Sequence, residues 1–545
     1  MRPSPWRSAV LLAAVLTGGL ASAGCRDRNL GLDPPDDQLF FPSGVLVDPT
    51  PDARWLFVAS ANSDLRYNAG TLTAIDLDAF WAAWFDEATQ AAYPFCESGG
   101  AGRCVQGPGA DVSDDRPCRR SLLKPNVVEC DEGAFIDPRD TVHTGDFGTV
   151  LTASEEPSGD LRLWLPVRGD PSITFIDIER TSGGLRMRCD QGQDPDEFDE
   201  RLCGDDHRLR NNRNDESLPE LSREPFNMII TRSGDERLGV VAHADDIDAT
   251  LIALDGVYGG GPPAIVDQFP LFSASDGLPG GFGLAERPCF AAGQGPLGEA
   301  DPEGNIPSLT EGCTRPLLYA GFRNLQRLAS FTASSQELPG PPELVDGDDR
   351  VDCFVDGDYA GPYCATPQQL GQPCAVLCEP RIRADRLLLS GGLLSTGALS
   401  LGDIAFADER GDTLLVLQTS PGALLFLDTS LGDDAEPLDQ PSSPPIEICA
   451  EPTRMRTYVD DGQRFAFVTC FRAALLYVVD IDARRVVDTV VTGTGPHDLS
   501  VDPVREVVYV ANTLESSLSV IDISRHRTTR FQELARLGLP EPFER

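Results

Sequence analysis

Residues 496–523 read PHDLSVDPVREVVYVANTLESSLSVIDI. A short extended run meets a turn at Asp502-Pro503, a β-branched run follows from Val507, and a second turn leads into an apolar run that ends at Asp522. Turn residues bounding short β-branched segments are the signature of antiparallel strands. Two more windows align with this one without a gap: GDIAFADERGDTLLVLQTSPGALLFLDT at 402–429 and RMRTYVDDGQRFAFVTCFRAALLYVVDI at 454–481. All three share Asp at 408, 460 and 502, Val at 416, 468 and 510, Leu at 424, 476 and 518, and Asp at 428, 480 and 522. RRVVDTVVTG at 484–493 supplies a fourth run, so the repeating unit holds three or four strands. Windows two and three start 42 residues apart, at 454 and 496, a spacing expected of a propeller blade, about 40–45 residues.

Four weaker copies lie upstream: 42–77, 159–178, 229–255 and 315–333. Seven units of about 42 residues account for a little over half of the 545-residue chain. The remainder falls in four stretches, 79–141, 181–222, 258–314 and 334–398, each expected as an insertion after the third strand of a blade. The fold expected is therefore all-β, a seven-bladed β-propeller spanning 41–531 with a C-terminal tail at 532–545. An eighth, degenerate blade around 378–400 is the alternative. Stacking blades around an axis covers both faces of small sheets that could not bury themselves. The shared Val and Leu are then core between blades, and the Asp after the third strand closes a tight turn.

YVANTLESSLSVIDI, preceded by VVTGTGPHDLSVDP, resembles the YVTN-type β-propeller repeat of bacterial and archaeal surface and periplasmic proteins. The resemblance is specific over 484–523 and weakens toward the N-terminus, covering about half of the chain. It implies a propeller, commonly seven-bladed, and a binding or surface role, with enzymes such as lactonases among more distant propeller relatives.

The N-terminus reads as an export signal. Arg2 and Arg7 precede an apolar stretch from Ala9 to Leu20, and small residues follow up to Gly24. Ala21-x-Ala23 suits ordinary signal peptidase, whereas Ala23-Gly24-Cys25 resembles the lipobox of bacterial lipoproteins, with Ser22 departing from the usual aliphatic residue. The chain has 15 Cys. Setting Cys25 aside as the lipid anchor leaves an even number for disulfides in an oxidising compartment. Residues 1–24 are then the signal peptide and 25–40 a lipidated tether, with Arg26 after the anchor resembling an outer-membrane address. Membrane contact is expected through this lipid alone.

Cys449 and Cys470 flank the first two strands of one blade at the same end, where a disulfide is geometrically reasonable. Local pairing is expected within the other groups: Cys96, Cys104, Cys118 and Cys130; Cys189 and Cys203; Cys289 and Cys313; Cys353, Cys364, Cys374 and Cys378. Each four-Cys group leaves three connectivities open.

With 45 basic and 86 acidic residues the formal net charge is -41, which excludes nucleic-acid binding through a global positive field. No HExxH, CxxCH, GxSxG or Walker A pattern occurs. No cofactor is expected. Acidic stretches at 190–200 and 346–358 offer oxygen ligands suited to calcium, but lack the order of an EF-hand loop. Repeat geometry brings the start of each first strand and the end of each second strand to one face of the ring. The candidate binding face there is Ser43, Ser60, Arg168, His243, Arg323, Asp403, Gln418, His497 and Asn512. Two functions fit: a cell-envelope lipoprotein whose propeller is a binding or scaffold module for a protein or glycan partner, or a hydrolase of lactonase type holding a divalent cation at the channel mouth. No catalytic residue is assigned.

Overall fold

The computed structural model describes residues 32–85, 117–121, 124, 126–181, 184–189, 202–210, 221–233, 236–256, 261–271, 280–288, 316–322, 327–334, 381–389, 400–430 and 437–538. Seven antiparallel sheets follow one another along the chain, each laid out from an inner strand to an outer one. The inner strands are Pro42–Val47, Thr152–Glu155, Pro225–Ser233, Gly281–Glu286, Leu401–Phe406, Pro452–Asp460 and Pro496–Asp502. In each blade the second and third strands follow as tight antiparallel partners, for example Val507–Asn512 and Ser517–Asp522 in blade 7. The YVANTLESSLSVIDI motif forms this pair.

Alternation along the strands explains the stacking. In blade 6, Phe465 and Phe467 pack with blade 7, whereas Ala466 and Val468 pack with blade 5. The shared positions keep one sense around the ring. Val58, Val416, Val468 and Val510 each face the preceding blade, and Leu72, Leu424, Leu476 and Leu518 each face the following one. Among the described residues the buried apolar side chains fall into seven clusters, one for each interface between neighbouring blades, including the one between blades 7 and 1. Seven interfaces for seven blades means a closed ring.

The repeated Asp residues close turns as their chemistry suggests. Asp480 accepts from Ala483 N at 2.8 Å, Asp522 from Ser524 N at 2.9 Å and Asp502 from Val504 N at 2.9 Å. In blade 1 the equivalent Asp76 caps the helix Leu77–Trp84 by accepting from Asp78 N and Ala79 N.

Three expected boundaries need correction. First, the insertions contain the outer strands. Ile136–Thr144, Gly184–Arg188, Ala264–Pro270 and Arg381–Leu389 complete blades 1 to 4, and Gly281–Glu286, inside 258–314, is the inner strand of blade 4. The eighth-blade candidate is this outer strand of blade 4. An outer strand sits at the perimeter with one neighbour, so a long excursion before it disturbs no packing. Second, the expected tail supplies Glu533–Leu537, which pairs with Ser517–Asp522 as the outer strand of blade 7. Third, the expected tether is docked at its end: Leu39 and Phe40 are buried, Leu39 N donates to Glu132 at 3.1 Å, and Asp36 meets His143 at 3.0 Å.

The insertion of blade 1 also crosses to blade 7. Its hairpin, Cys118–Arg120 with Val128–Cys130, adds to the edge of Glu533–Leu537, the junction being parallel. Lys124, beyond that hairpin, pairs with Glu533 at 2.7 Å. Disulfides join Cys118 to Cys130, Cys189 to Cys203 and Cys449 to Cys470. All three are local, and the last is the pair expected from strand geometry. Cys25, Cys96, Cys104, Cys289, Cys313, Cys353, Cys364, Cys374 and Cys378 lie outside the described residues. No helix among the described residues is long and apolar enough to cross a membrane.

Leu518 is fully buried at the interface that closes the ring. Leu518→Ala is expected to lower unfolding free energy by about 2–5 kcal/mol. Val459→Ala, at a position 52% exposed, is expected to change it by less than ~0.5 kcal/mol. Chemical denaturation of both variants checks this, and equal effects would contradict the packing described.

Candidate functional site

The inner strands begin in a common way. Four of the seven start with proline, at 42, 225, 452 and 496, where a missing N–H costs no ladder bond. Six of the seven shift register within two or three residues of the start. Such bulges bend a strand and re-aim its side chains. Here they tilt the inner strands against one another, and side chains of one blade reach backbone groups of the next. Asp403 Oδ2 accepts from Met455 N at 3.0 Å, and Asp498 Oδ2 accepts from Val45 N at 3.0 Å. Thr149 and Thr152 donate to the carbonyls of Phe226 and Met228 at 2.7 and 2.8 Å.

These strands enclose an axial cavity of about 410 Å³. The side formed by blades 2 to 4 is uncharged: Leu151, Met228 and Leu284 are packed in the blade interfaces, while Ala153, Ile229 and Ile230 stay partly exposed beside Thr152 and Asn227. The other, from blades 5 and 6, carries Asp403, Arg454, Arg456 and Thr457. Arg454 is 1% exposed, lies over the Phe226 ring at 5.0 Å and has Asp403 at 3.8 Å. Burial pushes its guanidinium below the usual arginine range, opposed by the carboxylates of Asp403 and Asp498. Arg456 bridges two blades, with Nη1 3.3 Å from Asp403 and Nη2 3.3 Å from Asp498. A carboxylate that accepts from backbone N–H and guanidinium together is fixed in place.

Of the nine candidate residues, Asp403 lines this cavity. The others that lie among the described residues are set in the frame around it. Ser43 donates to Gly148 O at 2.6 Å, and Ser60 accepts from Phe40 N at 3.4 Å. Arg168 is ion-paired with Glu224 and covers the Phe226 ring. Gln418 donates to Pro421 O at 2.7 Å across a turn. Asn512 is fully buried and donates to Ser517 and Ser519. His497 Nδ1 donates to Ser43 O at 2.9 Å, joining blade 7 to blade 1. Arg323 lies outside the described residues, as do the acidic stretches at 190–200 and 346–358.

His243 is fully buried, with Nδ1 against Arg223 O at 3.0 Å and Nε2 against Thr250 Oγ1 at 2.9 Å. The carbonyl requires Nδ1 to carry the proton, so Nε2 accepts from the hydroxyl. Burial pulls this imidazole down to about 4. Among the described residues no three His, Cys, Asp or Glu side chains gather as a metal site.

Sequence comparison missed Asp498, Arg454 and Arg456. Strand pairing places Ile404, Met455, Leu499 and Val45 at equivalent points, opposite the shared Val of each second strand. Asp498 is thus the counterpart of Asp403. Turns of unequal length between the first two strands slip an ungapped alignment by one residue, which set His497 there instead.

No protein-family model matches this chain, and no curated protein matches it in sequence. Solved structures similar to it include Citrobacter koseri AztD, with 12% identity, a TM-score of 0.36 and coverage of 76% of this chain and 92% of that one. A Lactobacillus plantarum protein has 9% identity and a TM-score of 0.39, with coverage of 73% and 89%. Hydrazine synthase of Kuenenia stuttgartiensis has 11% identity and a TM-score of 0.29, with coverage of 88% and 83%. At this level of likeness the fold rests on the strand order and ring contacts above. They define a seven-bladed β-propeller.

The unfolded chain takes up a proton on His243 near pH 6.5, the folded chain only near 4. Stability therefore falls as pH drops through this window, by roughly 3 kcal/mol in all. Glu286, pushed up to about 7 by burial, contributes the opposite slope. The difference between the parent and His243→Gln isolates the imidazole: the variant is expected to be less stable at pH 7, with its deficit shrinking toward pH 4. A constant deficit in denaturation series over that range would contradict a neutral, buried His243.

Proposed function

We propose that this protein is a cell-envelope lipoprotein, anchored in the outer membrane through Cys25, whose propeller is a binding or scaffold module for a protein or glycan partner. Three disulfides among the described residues support export to an oxidising compartment. The lipobox-like Ala23-Gly24-Cys25 and the even remainder of cysteines support the anchor. The resemblance to the YVTN-type repeat supports a surface or periplasmic role.

The observation that carries the choice of a module over a hydrolase is what the polar candidates already do. Both ring nitrogens of His243 are bonded within its own blade and the amide of Asn512 is enclosed. Asp403 is committed to Met455 N and Arg456. A lactonase-type centre needs such groups converging on one cation. Here they serve blade structure and the links between blades. The insertions of blades 1 and 2 each carry a disulfide among the described residues and offer surface for a partner.

The mature N-terminal peptide is expected to begin at an acylated Cys25, and Cys25→Ser is expected to move the protein from the membrane to the soluble envelope fraction. An unmodified chain beginning at Gly24 in the mass spectrum would overturn the anchor. Lactone hydrolysis with added calcium is expected to be absent. Hydrolysis that is lost in Asp403→Asn would overturn the module in favour of an enzyme.

A further inference from the structure

We propose that the axial cavity binds a small organic acid, its carboxylate held by Arg456 and its apolar body lying against Ala153, Ile229 and Ile230 of blades 2 and 3. Three features converge on this. The volume, about 410 Å³, lies in the range of small-molecule sites. The lining is divided, with Thr152, Ala153, Ile229 and Ile230, all partly exposed and uncharged, facing a charged side contributed by blades 5 and 6. Such a cavity suits a molecule with one apolar and one charged end.

The sign of that charged end follows from the lining. Arg454 and Arg456 are cationic, and Asp403 is the single anionic side chain among the residues that line the cavity. Asp403 spends its oxygens on Met455 N, Ile404 N and Arg456, which leaves little capacity for an incoming cation. Arg456 has capacity to spare. Its Nη1 donates to Asp403 and to Met455 O, and Nη2 donates to Asp498. Nε–H and one hydrogen of Nη2 remain, on a side chain 37% exposed. A guanidinium presenting two donors in a fork matches the two oxygens of a carboxylate. Because Asp403 and Asp498 fix the guanidinium from two blades, the fork is set before the ligand arrives, which reduces the entropic cost of binding. Asp498, outside the lining, offsets charge without competing for the site.

Octanoate and 4-phenylbutyrate test this, titrated calorimetrically into the full chain carrying Cys25→Ser, with octylammonium and 1-octanol as controls. Both acids are expected to bind with Kd of about 1–100 μM, and both controls at least ~10-fold more weakly. Arg456→Lys keeps the charge but loses the fork, and is expected to weaken the acids about 10-fold. Ala405→Phe, which narrows the cavity from its lining, is expected to abolish binding of both acids. Thermal melts of the two variants show which of them keep the fold. Equal affinity for the amine, acid affinity unchanged by Arg456→Lys, or no acid binding by ~1 mM would overturn the proposal. A chain that binds no acid yet is acylated at Cys25 and lacks hydrolase activity would leave the envelope module standing and remove only its axial ligand.

Discussion

Each inner strand of the ring has one edge paired to its own blade and one edge bare, and everything at the centre follows from how that bare edge is satisfied. Buried N–H and C=O groups must find partners. In a sheet that grew sideways another strand would supply them. Around an axis there is no room for one. The neighbouring blade instead offers side chains: Asp403 to Met455 N, Asp498 to Val45 N and Ser500 to Val47 N. Close approach makes this feasible. A Cβ on Gly44 would lie 2.4 Å from Thr149 O, and one on Gly283 would lie 2.8 Å from Gly402 O. Small residues at the bulges let backbone meet backbone where the ring is tightest.

The charged wall of the cavity is a by-product of that solution. Carboxylates recruited to serve backbone N–H groups bring negative charge to the axis, where it is poorly solvated. Arg456 answers two of them at once, and Arg454 lies beside Asp403 with a ring beneath it. A buried ion cluster of this kind adds little net stability over apolar packing but fixes geometry. Blades 3 and 4, with Asn227 and Gly283 at the corresponding points, bring no further charge to the axis and leave the opposite side uncharged. The division of the cavity into two halves thus follows from which residue follows the bulge in each blade.

What could be read from sequence was what repeats. The Val and Leu that recur in the windows pack in a constant sense around the ring, and the Asp after the third strand caps its turn, because both roles depend only on position within a blade. The outer strands were hidden since perimeter position imposes weak demands: Gly184–Arg188 needs one partner and one covered face, so no strong pattern marks it. The inner strand of blade 2, Thr152–Glu155, was hidden by its brevity. Asp498 was concealed by register. The turn that follows its strand differs in length from that of blade 5, and the pairing of its neighbour Leu499 to Val510 was needed to place it. His243 and Asn512 were drawn into the candidate face by residue type. A buried polar side chain at a strand end is as well suited to hold its own blade together.

The hairpin that blade 1 lends to blade 7 has an entropic meaning. Val128 and Ala535 pair although more than four hundred residues separate them in sequence. The hairpin, closed by its own disulfide, lies far along the chain from the strand that receives it. The seam between first and last blade therefore carries the largest loop-closure cost in the ring, and the hairpin adds backbone pairing at the place where that cost is met.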